Sequence, residues 1–280
     1  MTLEFHEQVA RWLRAGLRLA VATVVERQGS APRGVGAKMI VGASGETVFS
    51  IGGGAFEALV IEDARDALRS GRGFEKTYRF TETGEQATGM VCGGSVRVLV
   101  EIVVPPTPLL IFGAGHVGRE LAQIGVRLGF AVTVVDDRER EVASPRLPPG
   151  AARVRAGREF GDGLPPIPDG AYVAIVTRCH RTDLAALQHA AGKGAAYIGL
   201  IGSRRKVATI LARAADAGTP AEALRDLRAP IGLPIGAETP EEIAVSIAAE
   251  MIAVLRGGAA AAALRGLTPL PRGRARDRTA

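Results

Sequence analysis

Apolar residues recur at two spacings along this chain, and the change between them divides it. Residues 3–15, LEFHEQVARWLRA, place apolar side chains three and four apart, which predicts an amphipathic helix. LAVATVVER follows and reads as a strand. AKMIV and ETVFSI are two short strands separated by Gly42, Ala43, Ser44 and Gly45, a hairpin signal. AFEALVIEDARDALRSG returns to helical spacing and ends on a glycine, and EKTYRF and SVRVLVEIVV add two strands. After VPPTP the pattern becomes an alternation of strand and helix. LLIFG, AVTVVDD, AYVAIVT and AYIGLIG are strand-like, with a weaker strand at Ala152–Arg155. The last helix begins in TPEEIAVSIAAEMIAVLRG, where Thr239 suits the N-cap, Pro240 the first turn and Glu242 the reciprocal capping position.

Three prolines in VPPTP stop regular hydrogen bonding and mark a domain boundary. Residues 1–104 read as a mixed α+β domain. Residues 105–258 read as a parallel sheet with helices on both faces, because strand–helix alternation builds that arrangement. The fold class is α/β.

Composition narrows the function classes. The chain has 280 residues, 47% of them apolar and 23% charged, which is globular. Its apolar runs fall short of the ~18 residues a membrane span needs, and the amphipathic start lacks the apolar core of a signal peptide. A cytoplasmic protein with no membrane span is expected. Two cysteines cannot build a disulfide framework, and neither lies in a CxxC pair. The net charge of +6 is concentrated in residues 265–280, which hold five arginines and one aspartate. The body is close to neutral, so a nucleic-acid partner is not expected. Residues 259–280 read as a basic, disordered tail.

Candidate chemistry begins at Gly113-Ala114-Gly115-His116-Val117-Gly118, a GxGxxG turn between an apolar strand and a helix. The first glycine permits the tight turn, the second lets phosphate oxygens approach, and the third lets helix and strand pack. Free N–H groups at the helix start favour an anion. The next strand ends at Asp136, placed to accept ribose hydroxyls. A Rossmann-like domain follows from this order of elements. His116 reads either as a phosphate contact or as an idle loop histidine. Two further strand ends carry polar residues: Arg178, Cys179, His180, Arg181, Thr182 and Asp183 in one, Ser203, Arg204, Arg205 and Lys206 in the other. Basic residues at a helix start oppose its dipole, which makes sense for Arg204 and Arg205 if an anion sits there. For His180 and Asp183 a ligand role competes with helix capping by Asp183 beside an idle histidine.

The first domain has three glycine-rich loops. GSAPRGVGAK carries Arg33 and Lys38, GGGAFE carries Gly52, Gly53, Gly54 and Glu57, and GMVCGG carries Cys92. Together they suggest a backbone-lined pocket for a ligand with phosphate or heterocyclic amide groups. A Walker pattern is absent, and each loop alone admits a purely structural reading.

These residues resemble the xanthine dehydrogenase accessory family, the XdhC/CoxI-like proteins. GSAPRGVGAKM, SIGGGAFE and GMVCGG carry the resemblance in the first domain. IFGAGHVG, VTRCHRTDL, YIGLIGSRRK and APIGLPIGAETPEEIAVSIAAE carry it in the second, over residues 21–256 in all. Cys179 stands where that family more often has a small residue, whereas His180 and Asp183 match it. The resemblance implies a maturation factor rather than a turnover enzyme. Such a factor acts as a chaperone that binds molybdenum cofactor (molybdopterin), protects it while a cysteine desulfurase supplies the sulfido ligand, and inserts it into a molybdenum hydroxylase client such as xanthine or carbon monoxide dehydrogenase. Arg33, Lys38, Arg204 and Arg205 would hold phosphate, Glu57 would pair with the pterin, and Cys92 would serve as molybdenum ligand or sulfur carrier. The alternatives are an NAD(P)-dependent oxidoreductase with His180 and Asp183 as acid–base groups, or a nucleotide-handling enzyme. A homodimer is expected from the alanine-rich last helix.

Overall fold

The computed structural model describes residues 3–30, 32–80 and 94–257. Cys92 and the tail at 259–280 lie outside the described residues. The chain separates into two compact units, Met1–Pro106 and Thr107–Ala280.

The first unit contains α1 (Leu3–Arg14), β1 (Leu19–Gln28), β2 (Lys38–Gly42), β3 (Thr47–Phe49), α2 (Gly54–Ser70), β4 (Phe74–Arg79) and β5 (Ser95–Val103). Its five strands form an antiparallel sheet in the order β3-β2-β1-β5-β4. Alternation along β1 sends Ala20, Ala22 and Val24 to one face, where Phe56, Val60 and Ala64 of α2 cover them. Leu19 and Val21 point to the other face, against Phe5 of α1 and Ile40. The expected hairpin joins β2 to β3: Gly45 N donates to Gly42 O at 3.0 Å, with Gly45 at φ 92°. β3 stops at Phe49, short of the expected ETVFSI, because Phe49 turns to φ 66° and the next residues fold onto α2.

The second unit contains β6 (Pro108–Phe112), α3 (His116–Arg127), β7 (Ala131–Asp136), α4 (Glu139–Val142), β8 (Ala152–Arg155), β9 (Tyr172–Ile175), α5 (His180–Ala190), β10 (Tyr197–Leu200), α6 (Arg204–Asp216) and α7 (Pro240–Arg256). The strands are all parallel, in the order β10-β9-β6-β7-β8. Leu109, Ile111, Val132, Val134 and Ala174 face α3 and α7, while Leu110, Phe112, Val135, Val173 and Ile175 face α5 and α6. With both faces covered, β6, β9 and β10 are apolar runs, whereas the edge strand β8 carries Arg153 and Arg155 and is mostly exposed. α7 starts with the expected capping box. The Thr239 side chain accepts from Glu242 N, and the Glu242 carboxylate accepts from Thr239 N at 3.1 Å. No helix among the described residues is long and apolar enough to cross a membrane.

Candidate functional site

Strand order in the parallel sheet reverses between β6 and β9, since β7 and β8 lie to one side and β9 and β10 to the other. At such a point the connections leave in opposite directions and a crevice opens at the carboxyl ends of the strands. The predicted residues Gly113, Gly115, His116, Gly118, Asp136, His180, Asp183, Ser203, Arg204 and Arg205 all lie along this edge, at or just after β6, β7, β9 and β10.

The three glycines of the turn are glycine for different reasons. Gly113 has φ 113°, and a Cβ there would lie 2.6 Å from Val176 O. A Cβ on Gly118 would overlap Gly113 O, so that glycine lets α3 pack against the turn. Gly115 has φ −70° and ψ −166°, ordinary extended backbone, and a Cβ there would meet nothing within 4 Å. Neither conformation nor packing within the chain requires glycine at 115. What remains is open space in front of the α3 N-terminus, where a ligand can approach the backbone.

Asp136 is engaged within the chain in this structure. Its carboxylate is turned inward and buried. It accepts from Ala114 N at 2.8 Å, from Arg138 N at 3.0 Å, and from Arg138 Nε and Nη2 at 2.9 and 2.8 Å. Its oxygens are spent within the chain rather than offered to a ribose. Burial alone would raise the Asp136 carboxyl. Hydrogen bonds from the Arg138 side chain, the Ala114 and Arg138 amides, and the Arg138 charge outweigh it and hold the group below the usual range.

Asp183 is likewise engaged within the chain. It does not occupy the N-cap of α5, which is Cys179. It is fully buried, accepting from Thr177 Oγ1 at 2.6 Å and standing 2.5 Å from Lys206 Nζ. This ion pair ties α5 to α6, so Lys206 serves the framework. Arg204 and Arg205 are exposed at the α6 start and make no ion pair among the described residues, and Ser203 caps that helix by accepting from Lys206 N at 3.3 Å. His116 and His180 are exposed at the first positions of α3 and α5.

Two residues that the sequence reading named without giving them a role are also engaged on this edge. Arg178 forms a bidentate pair with Asp137, at 2.8 and 3.0 Å. Cys179, at the α5 start, is partly buried with Sγ 3.4 Å from Thr182 Oγ1. The Thr182 hydroxyl and amide, the Arg181 amide and the Arg178 charge hold this thiol below its ordinary value against the effect of burial.

In the first unit the described candidates Lys38 and Glu57 lie on opposite faces of the sheet. The Lys38 ammonium donates to Thr23 Oγ1 at 2.7 Å on the α1 face of the sheet. Glu57 starts α2 on the other face, where its carboxylate accepts from Ser50 Oγ at 2.6 Å and from Ile51 N and Gly53 N at 3.0 Å. Gly52, Gly53 and Gly54 are at φ 150°, 78° and 65°, a sharp turn that glycine permits. Gly53 N donates to the protein's own Glu57 carboxylate and Gly52 N to Ser50 Oγ at 3.1 Å, so Glu57 is engaged within the loop. Arg33 is exposed. A Cβ on Gly94, the last glycine of GMVCGG, would overlap Ser30 O, which gives that glycine a packing role. Among the described residues no three His, Cys, Asp or Glu side chains are grouped to hold a metal ion.

Two family models match this chain. The model of the XdhC Rossmann domain covers residues 109–251, and that of the XdhC and CoxI family covers residues 12–81. The chain belongs to the XdhC and CoxI family. Within it, the Escherichia coli (strain K12) protein described as uncharacterized protein YqeB is 37% identical over 84% of this chain and 43% of its own length. A Bacillus subtilis (strain 168) protein described as a probable xanthine dehydrogenase subunit is 30% identical over 56% of this chain and 46% of its own. The chain thus spans less than half the length of these curated relatives. A crystal structure of a xanthine dehydrogenase from Bacillus halodurans aligns with a TM-score of 0.48 at 21% identity, covering 89% of this chain and 95% of that one. The XdhC Rossmann match contains the whole strand edge described above, from the glycine turn to Arg205.

Proposed function

We propose that this XdhC-family chain is a maturation factor for a molybdenum hydroxylase, binding molybdenum cofactor at the carboxyl edge of its parallel sheet. Gly115 carries this reading: open space before it, with no demand for glycine from the chain itself, suits a phosphate group brought against the α3 N-terminus. The residues fit a phosphate-bearing anion at this edge. Exposed Arg204 and Arg205 add positive charge at a second helix start, and His116 and His180 add ring nitrogens that can hydrogen-bond. The fit does not extend to the turn at residues 50–54, where Glu57 takes the Ile51 and Gly53 amides and Ser50 takes that of Gly52.

When bound, the cofactor would supply a molybdenum centre able to carry a terminal sulfido ligand. The chain's part is to hold the phosphate, keep the cofactor oriented and release it to the client. In this reading Cys92 supplies a thiolate to the metal or relays sulfur from a cysteine desulfurase. The client is a hydroxylase of the xanthine or carbon monoxide dehydrogenase type, and the factor works in the cytoplasm as a homodimer.

The test is pterin retention. The protein is purified from cells making molybdenum cofactor, oxidised, and assayed for the fluorescence of the released pterin. Wild type is expected to retain it, and Gly115→Val and Cys92→Ala to lose most of it. Wild type without pterin, or full retention in Gly115→Val, would overturn the proposal. The competing oxidoreductase reading uses the same turn, but the inward Asp136 carboxylate weighs against a ribose diol there. Substrate-dependent oxidation of NADH would revive it.

A further inference from the structure

Arg178 and Asp137 lie 41 residues apart in sequence and follow β9 and β7 respectively. Those strands flank β6 on its two sides, so their bond joins the strand ends on either side of the glycine turn. The two strands are about 10 Å apart at the usual sheet spacing, a gap only a long side chain closes. The partners differ in freedom. The Asp137 side chain is 5% exposed and is also fixed by Glu159 N at 3.0 Å, whereas Arg178 is 43% exposed. Glu159 and Phe160 take φ 54° and 64°, left-handed backbone that the Asp137 carboxylate helps hold.

We infer that Arg178 is an anion-receiving residue of the crevice, held on Asp137 until a phosphate-bearing ligand takes the carboxylate's place. A carboxylate and a phosphate offer the guanidinium the same pair of acceptor oxygens, so the fork can pass from one to the other with its geometry kept. Two of the five N–H groups of Arg178 are engaged by Asp137, which leaves three for an approaching anion. Asp137 stays seated through Glu159 N but loses its countercharge when the ligand binds. The carboxylate therefore competes with the ligand, and the two partners act on affinity with opposite signs. This inference rests on the reading that the glycine turn binds a phosphate-bearing ligand.

The test titrates ADP into the full chain by calorimetry, for wild type, Arg178→Ala, Asp137→Asn and Gly115→Val. Loss of the fork in Arg178→Ala is expected to weaken ADP about tenfold. Asp137→Asn keeps an acceptor for Glu159 N but removes the competing charge, and is expected to tighten ADP about threefold. If Arg178→Ala does not fold, Arg178→Lys keeps the charge without the fork and is expected to lose affinity also. A purely structural clamp would move both substitutions in the same direction. Wild-type affinity in Arg178→Ala, or weakened binding in Asp137→Asn, overturns the role of Arg178 while a loss in Gly115→Val leaves the turn's reading standing. Absence of ADP binding by wild type overturns the inference for Arg178, while pterin retention tests the turn's reading separately.

Discussion

The Glu57 carboxylate lies 3.0 Å from Gly53 N, so helix α2 closes its own glycine-lined entrance with a side chain from its first turn. Ser50 Oγ and Ile51 N complete the set of donors. A helix start with free amides invites an anion, and here the chain provides one. Burial by itself would raise the Glu57 carboxyl. Hydrogen bonds from Ser50, Gly53, Ile51 and Gly52 exceed that effect and hold it below the usual range.

Glu57→Ala removes these bonds and leaves the turn at residues 50–53 with unpaired amides. A loss of about 1–2 kcal/mol in urea denaturation is expected, with the native fold kept. An unchanged denaturation midpoint would show that the loop holds its shape without the carboxylate.

Asp136 links stability to acid. Its folded-state pKa lies below its unfolded value, so the unfolded chain takes up the proton first as pH falls. The contribution is whole above the ordinary aspartate value, about 4, and drains as pH falls through the lower folded value. The stability gap between wild type and Asp136→Asn is therefore expected to stay constant from pH 7 to 5 and to narrow toward pH 3. Denaturation curves at those pH values read it directly, and a gap that does not close in acid contradicts the assignment.

Gly118 and Gly115 separate packing from binding. Gly118→Ala drives a Cβ into Gly113 O and is expected to cost at least about 2 kcal/mol of stability. Gly115→Ala places its methyl in open space, with an expected stability change within about 0.5 kcal/mol. The same methyl stands where a phosphate would approach, so retention of pterin falls. Equal thermal midpoints for the two variants would refute the division of roles.

The fold is legible in the sequence where its causes are local. Thr239 and Glu242 announce the α7 start because both halves of the capping box lie within one turn. Apolar runs such as LLIFG and AYVAIVT announce buried parallel strands because both faces of those strands are covered. The site is legible only as a collection of strand ends. Asp136 carries the residue type of a ribose acceptor, yet Arg138, two positions on, claims its oxygens. Asp183 resembles a cap until α6 brings Lys206 against it. The Arg178–Asp137 pair depends on β9 returning beside β6, a fact of strand order that no local pattern carries.

Cys179 offers a probe of this edge that needs no ligand. Only the thiolate is alkylated, so the pH midpoint of the alkylation rate follows the thiol pKa. Thr182 lowers that pKa first, through its hydroxyl and its amide, with the Arg181 amide and Arg178 charge adding to it against burial. The midpoint for the Cys179 peptide, followed by mass spectrometry after iodoacetamide treatment, is expected below that of the same peptide in the denatured chain. Thr182→Val removes the hydroxyl and is expected to move the midpoint up. Arg178→Ala should move it up less, because its charge is the smallest of these contributions. A midpoint equal to that of the same peptide in the denatured chain would mean that the α5 start does not hold the thiol as described.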